Sequence, residues 1–133
     1  MSAEKILIVE DNALLAEDLR DIISSYGYET SGIADSFETA RRLAPFSTIA
    51  LVDVNLRDGA TGPMVARYLA SEHGVAVVMV TGNPEAVQNG LSGVVGMISK
   101  PIHPPLIGKV LIYLQDVRRD GRGIPPSGMR PFA

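Results

Sequence analysis

Four short apolar runs constrain this chain more than anything else in it: KILIVE (5–10), TIALVDV (48–54), VAVVMV (75–80) and VVGMIS (94–99). They are rich in valine and isoleucine and do not alternate with polar residues, so each fits a strand buried on both faces, as in a parallel sheet covered by helices. Between them the spacing turns helical. Leu15, Leu19, Ile22, Ile23 and Tyr26 share one helical face after a cap at Asp11 or Asn12, and Gly27 supplies the stop. A second helix spans about Ser36 to Leu43 with Pro45 at its exit, and a third runs from about Pro63 to Glu72, with proline at its start and Gly74 at its end. The last begins at Pro104–Pro105 and carries Ile107, Val110, Leu111, Leu114 and Val117 on one face. YETSGI (28–33) reads as a weaker strand suited to an edge. NPEAVQNGLSG (83–93) is poor in helix formers, and only a short or frayed helix fits there.

Strands alternating with helices imply βαβ units, right-handed crossovers and a parallel sheet. The expected fold is α/β: a flavodoxin-like, doubly wound, five-stranded parallel sheet, (βα)5, with strand order 2-1-3-4-5. With 133 residues the chain has the size of one domain, placed at 1–119. The remainder, 120–133, is rich in glycine and proline without periodicity and is expected to be a disordered tail. It is too short to bury the core of an output domain.

Composition narrows the function classes. A formal net charge of −3 argues against a basic nucleic-acid surface, and the absence of cysteine removes disulfide, thiolate and cysteine–zinc chemistry. His73 and His103 are too far apart in sequence to suggest a metal pair. No apolar run approaches the roughly 20 residues that cross a bilayer, and the N-terminal stretch lacks a signal-peptide pattern. The expectation is a soluble, cytoplasmic protein with neither a nucleic-acid nor a membrane partner.

In an open parallel sheet, ligands bind beyond the carboxyl ends of the strands. The first strand ends in Glu10-Asp11, the third in Asp53 with Asn55 two residues on, the fourth in Thr81-Gly82 and the fifth in Lys100. Each has an ordinary use when taken singly: Glu10, Asp11 or Thr81 as a helix cap, Asp53 in a loop, Lys100 snorkelling to solvent. Together they bring three carboxylates, a hydroxyl and an ammonium to one edge. Two like charges ~4 Å apart repel by about 4 kcal/mol at an effective dielectric near 20, so the cluster calls for a cation. All-oxygen ligands suit Mg²⁺, Mn²⁺ or Ca²⁺. A cation, a hydroxyl and a lysine beside a carboxylate form a site for a phosphoryl group.

ILIVEDN, LVDVNL, MVTG and SKP, in this order and spacing, resemble the receiver domain of two-component response regulators, over about residues 4–118. The resemblance implies that Asp53 is the phosphoacceptor, taking a phosphoryl group from a histidine kinase or histidine phosphotransfer protein. It implies Mg²⁺ (Mn²⁺ as a substitute) held by Asp11, Asp53 and the backbone carbonyl of Asn55, with Glu10 acting through a metal-bound water. Thr81 would donate to the phosphoryl group and Lys100 would pair with one of its oxygens across a Lys100–Pro101 bond that is often cis. Donor docking would use the first helix from Asn12 through Leu15 and the loop at Pro101–Ile102. GATGPMVARYLA and VAVVMVTGNPE are similar to a stand-alone subgroup carrying an FATGY-like motif, matched here in part by MVTGN.

One position departs from the family. Most receivers carry Tyr or Phe three residues before the lysine, a ring that swings inward as the threonine shifts; here it is Met97. Met97 either packs the core or serves a modified switch with Thr81, and ordering of 83–93 through Thr81 offers another route for the signal. The expected role is therefore a phosphoacceptor rather than an enzyme, signalling by contact with an unspecified downstream protein, as a monomer or weak homodimer through the last helix. A phosphate sink or shuttle is the alternative. A small aspartate-nucleophile phosphatase fits poorly, because Asn55 stands where a general acid is wanted. A degenerate, phosphorylation-independent receiver conflicts with the retained acids, Thr81 and Lys100.

Overall fold

The computed structural model describes residues 3–132. Six strands form one sheet in the order β2-β1-β3-β4-β5-β6: β1 (Lys5–Val9), β2 (Glu29–Ala34), β3 (Ile49–Val52), β4 (Ala76–Thr81), β5 (Gly96–Ser99) and β6 (Met129–Pro131). The first five are parallel, four of them the unbroken apolar runs and β2 the weaker edge strand, and β6 pairs antiparallel with β5. Four α-helices cover the faces: α1 (Ala13–Ser25), α2 (Phe37–Leu43), α3 (Gly62–His73) and α4 (Pro104–Asp120).

Successive side chains of each strand enter opposite layers. Leu7, Val9, Ala50, Val52, Val77, Met79 and Met97 join one core with Val65, Ala66 and Leu69 of α3. Ile6, Ile8, Ile49, Leu51, Val78, Val80 and Ile98 join the other with Leu19 and Ile23 of α1 and Ile107, Val110, Leu111 and Leu114 of α4. Burial on both faces is why no polar residue alternates in these runs. Local signals set the helix ends: the Asn12 side chain accepts from the Leu15 amide to cap α1, and Ser36 and Thr39 form a reciprocal capping box at α2.

Two expectations require correction. Among the described residues the sheet has six strands rather than five, because Met129–Pro131, within the expected tail, forms a strand. Met129 is buried in the α1/α4 core, and its neighbours pair with the β5 edge. A three-residue strand following glycines and prolines has no periodicity to betray it. The fifth α-helix implied by (βα)5 is likewise missing among the described residues: 83–93 contains only a 3-10 turn at Pro84–Val87. The helix-poor composition predicted that shortening.

Candidate functional site

The order of the sheet reverses between β1 and β3, and the crevice beyond their carboxyl ends is where polar residues gather. The register Val9↔Val52 sets the residues that follow side by side, and the Asp53 amide donates to the Val9 carbonyl at 2.9 Å. Glu10 and Asp53 are thereby held next to each other by backbone alone. Both are nearly buried, at 4% and 8% exposure, while Asp11 is exposed. Carboxylate oxygens of Glu10, Asp11 and Asp53 lie within 4.8 Å of one another.

Thr81 ends β4 opposite Ser99, and the Lys100 amide donates to the Thr81 carbonyl at 2.9 Å. This ties the base of the lysine to the fourth strand. Its ammonium reaches across the sheet edge and donates to Glu10 Oε1 at 2.9 Å and Asp53 Oδ2 at 3.0 Å. Burial would lower the Lys100 pKa, but the hydrogen bonds to Glu10 and Asp53 and their charges outweigh it and hold the ammonium above its ordinary value. Burial raises the Glu10 carboxyl, with Asp53 pushing in the same direction, against the hydrogen bonds from Lys100 and the Asn12 amide. Three carboxylates against one ammonium leave the cluster with an excess of two negative charges when all are ionised. A hard divalent cation meets both that charge and the all-oxygen donor set.

The other Asp53 oxygen, Oδ1, accepts from the Val54 amide at 2.7 Å. The Thr81 side chain is fully buried, and its hydroxyl accepts from the Asn83 amide at 2.8 Å. Asn55 stands exposed two residues beyond Asp53, and the Lys100–Pro101 peptide bond is cis. Met97 is buried in the core on the α3 side, opposite Met79 in the adjacent strand. His103 is exposed at the start of α4, outside the cluster.

Gly62 has a role that sequence reasoning missed. It opens α3 and donates its amide to the Val54 carbonyl at 2.9 Å. A Cβ there would lie 1.8 Å from the Asp53 carbonyl oxygen and 2.7 Å from the Val54 Cα. The helix is therefore seated directly against the backbone that carries Asp53, a contact only glycine permits. The signal is present as the glycine of TGP, where sequence reading takes only the proline as the helix start.

The response regulator receiver domain family matches residues 6–111. The chain is 30% identical over 125 residues to the phyllosphere-induced regulator PhyR of Methylorubrum extorquens, covering 88% of this chain and 47% of that protein. It is 35% identical over 119 residues to the DNA-binding response regulator MtrA of Mycobacterium tuberculosis, covering 84% of this chain and 51% of MtrA. The chain thus spans about half the length of these curated relatives. Among solved structures, the receiver domain of Erythrobacter litoralis PhyR superposes with a TM-score of 0.79 at 21% identity, over 96% of this chain and 98% of that one. A CheY-like receiver domain protein from Methanospirillum hungatei gives 0.75 at 26% identity, over 90% of this chain and all of that one.

Proposed function

This chain belongs to the response regulator receiver domain family, whose members are phosphoacceptor modules of two-component signalling, and from that premise we propose that Asp53 is its phosphoacceptor. The observation that carries the reading is the Lys100 ammonium bridging Glu10 and Asp53 at the sheet edge. An Asp53 carboxylate oxygen attacks the phosphorus of a phosphohistidine on a histidine kinase or phosphotransfer protein. The O–P bond forms as the N–P bond breaks, and the imidazole nitrogen leaves with the electron pair. Lys100 follows the negative charge onto a phosphoryl oxygen, and Thr81 donates its hydroxyl to another. Glu10, Asp11, Asp53 and the Asn55 carbonyl would hold Mg²⁺, which supplies charge neutralisation at the phosphoryl oxygens when bound.

Donor docking fits the surface next to the site. A groove of about 410 Å³ is lined by Leu15, Asp18, Ile22, Ile102 and Pro104, with Leu14 exposed beside it. The apolar rim gives the donor burial, and Asp18 and Asp21 give it register.

The signal leaves the site through the segment after β4. Met97 has no aromatic ring to swing, whereas the Thr81 hydroxyl is directly bonded to the Asn83 amide. Turning Thr81 toward a phosphoryl group breaks that bond and frees 83–93 to rearrange. Downstream action is by protein contact.

Incubation with acetyl phosphate and Mg²⁺ tests the acceptor assignment. The intact mass should rise by one phosphoryl group, and Asp53→Asn should abolish it. Acid-labile label persisting on another residue in Asp53→Asn would overturn it. Amide exchange across 83–93 should change with a phosphoryl mimic; an unchanged pattern would rule out this exit route.

A further inference from the structure

The last described residues bind the sheet in three different ways. The pairs Gly96↔Pro131, Met97↔Arg130 and Ile98↔Met129 lay β6 along β5. Met129 enters the α1/α4 core, while Phe132, one face over, packs with the α3-side core and donates its amide to the Val95 carbonyl at 2.9 Å. The Arg130 guanidinium donates to the Gln88 carbonyl, at the end of the 3-10 turn that follows Thr81. A Cβ on Gly90 would be 3.5 Å from the Phe132 ring, so the same segment also seats the aromatic.

The β5 edge is shaped for this strand. A Cβ at Gly96 would lie 2.5 Å from the Arg130 carbonyl oxygen and 3.0 Å from the Pro131 Cα. Glycine there lets a second backbone approach more closely than any side chain allows.

We propose that residues 121–132 are a latch released by phosphorylation, and that the β5 edge beneath them is a docking surface for an extended segment of a partner protein. The proposal rests on the phosphoacceptor reading of Asp53 and Thr81. The linkage is a chain of contacts: Thr81 hydroxyl to Asn83 amide, Asn83 into the 3-10 turn, Gln88 carbonyl to Arg130, Gly90 to Phe132. Losing the first contact loosens the segment that holds the last two. The three-residue strand then keeps Met129, the Phe132 contacts with the core and Val95, and its ladder bonds, a short element toward the low-stability end of the fold. The vacated edge offers unpaired backbone groups, a site for strand addition. The chain's own tail defines the occupant: an extended strand with an apolar residue for the Met129 site and, on its other face, a basic residue two before an aromatic one.

The test uses the full chain. Beryllofluoride with Mg²⁺ should shift the Asp53, Thr81 and Asn83 resonances and raise amide exchange at Met129, Arg130 and Phe132 at least tenfold. If the site shifts and the tail does not, the latch falls while the phosphoacceptor reading stands; if neither shifts, both fall. A labelled peptide of residues 124–132 should bind the Arg130→Ala/Phe132→Ala full chain at least tenfold more tightly than the unphosphorylated wild type. Adding Gly96→Ala should abolish that binding. Equal binding to the double and triple variants, or binding to neither variant, would overturn the docking surface.

Discussion

Replacing Lys100 with methionine in the metal-free protein isolates the electrostatics of the site. At an effective dielectric near 20, its contacts at 2.9 and 3.0 Å correspond to attractions of about 5.7 and 5.5 kcal/mol, about 11 in total. The three carboxylate pairs, taken at their 4.8 Å limit, repel by about 3.5 kcal/mol each, about 10 in total. The cluster is close to balance only while the lysine is present. Without it the full attraction is not forfeited, because Glu10, already raised above its ordinary 4.5, can take a proton. Protonating a carboxyl of that ordinary pKa at pH 7 costs about 3.4 kcal/mol, which bounds the loss. The Lys100 side chain is 24% exposed, so screening reduces the effect and the expected destabilisation is about 2–3 kcal/mol.

Asp53→Asn should move the opposite way. It removes two repulsions of about 3.5 kcal/mol against one attraction of about 5.5, a net stabilisation of about 1.5 kcal/mol. Thermal unfolding by circular dichroism in EDTA should show Lys100→Met melting roughly 6–12 °C lower than the wild type and Asp53→Asn a few degrees higher. Millimolar Mg²⁺ should restore much of the Lys100→Met loss, since a cation replaces the missing charge, and should raise Asp53→Asn less than the wild type. Melting shifts of the same sign for both variants in EDTA, or equal Mg²⁺ responses in Asp53→Asn and wild type, would refute the balance of charges argued for the cluster.

Three further outcomes are accessible to standard measurements. Gly62→Ala forces a Cβ into the Asp53 carbonyl and should lower the urea-unfolding free energy by about 3 kcal/mol; a loss under 1 kcal/mol would mean the helix start is not a fixed contact. Thr81→Ala leaves the Asn83 amide without its acceptor, so it should cost about 1 kcal/mol, still accept phosphate at Asp53, and lose any phosphorylation-dependent exchange change across 83–93. Tyr28 is raised above its ordinary 10.0 by burial first, with Glu4 and Asp116 adding to it. Its contribution is therefore complete below pH 10 and lost as pH rises through the higher folded value, so Tyr28→Phe should flatten the alkaline limb of the stability curve; an unchanged limb would show that this tyrosine does not control it.

The parallel core was legible because its evidence is statistical. Each of the four runs repeats the same unbroken apolar pattern, and the topology then places their final residues on one edge. For that reason the sequence alone groups Glu10, Asp11, Asp53 and Lys100. What escaped the reading depends on single close approaches. Gly62 looks like any glycine before a helix-starting proline; its meaning is a distance to the Asp53 carbonyl, set by how α3 docks. Met129 looks like one apolar residue in a glycine- and proline-rich tail. A strand of three residues needs its partner edge, not its own sequence, to exist.

The two departures from (βα)5, a lost helix and an added strand, meet at one place. The connection from β4 to β5 has a single 3-10 turn, Pro84–Val87, and reaches the α3-side core through Val87, Leu91 and Val94. So short an element is not stable through its own hydrogen bonds and depends on tertiary contacts. Arg130 and Phe132 supply two of them, from the far end of the chain. Met97 lies between these parts: its side chain is in the α3-side core, and its backbone pairs with Arg130. Its flexible thioether can adjust its rotamer within that core. Under the latch we propose, a methionine at 97 leaves movement after Thr81 to the 83–93 segment and the strand that restrains it.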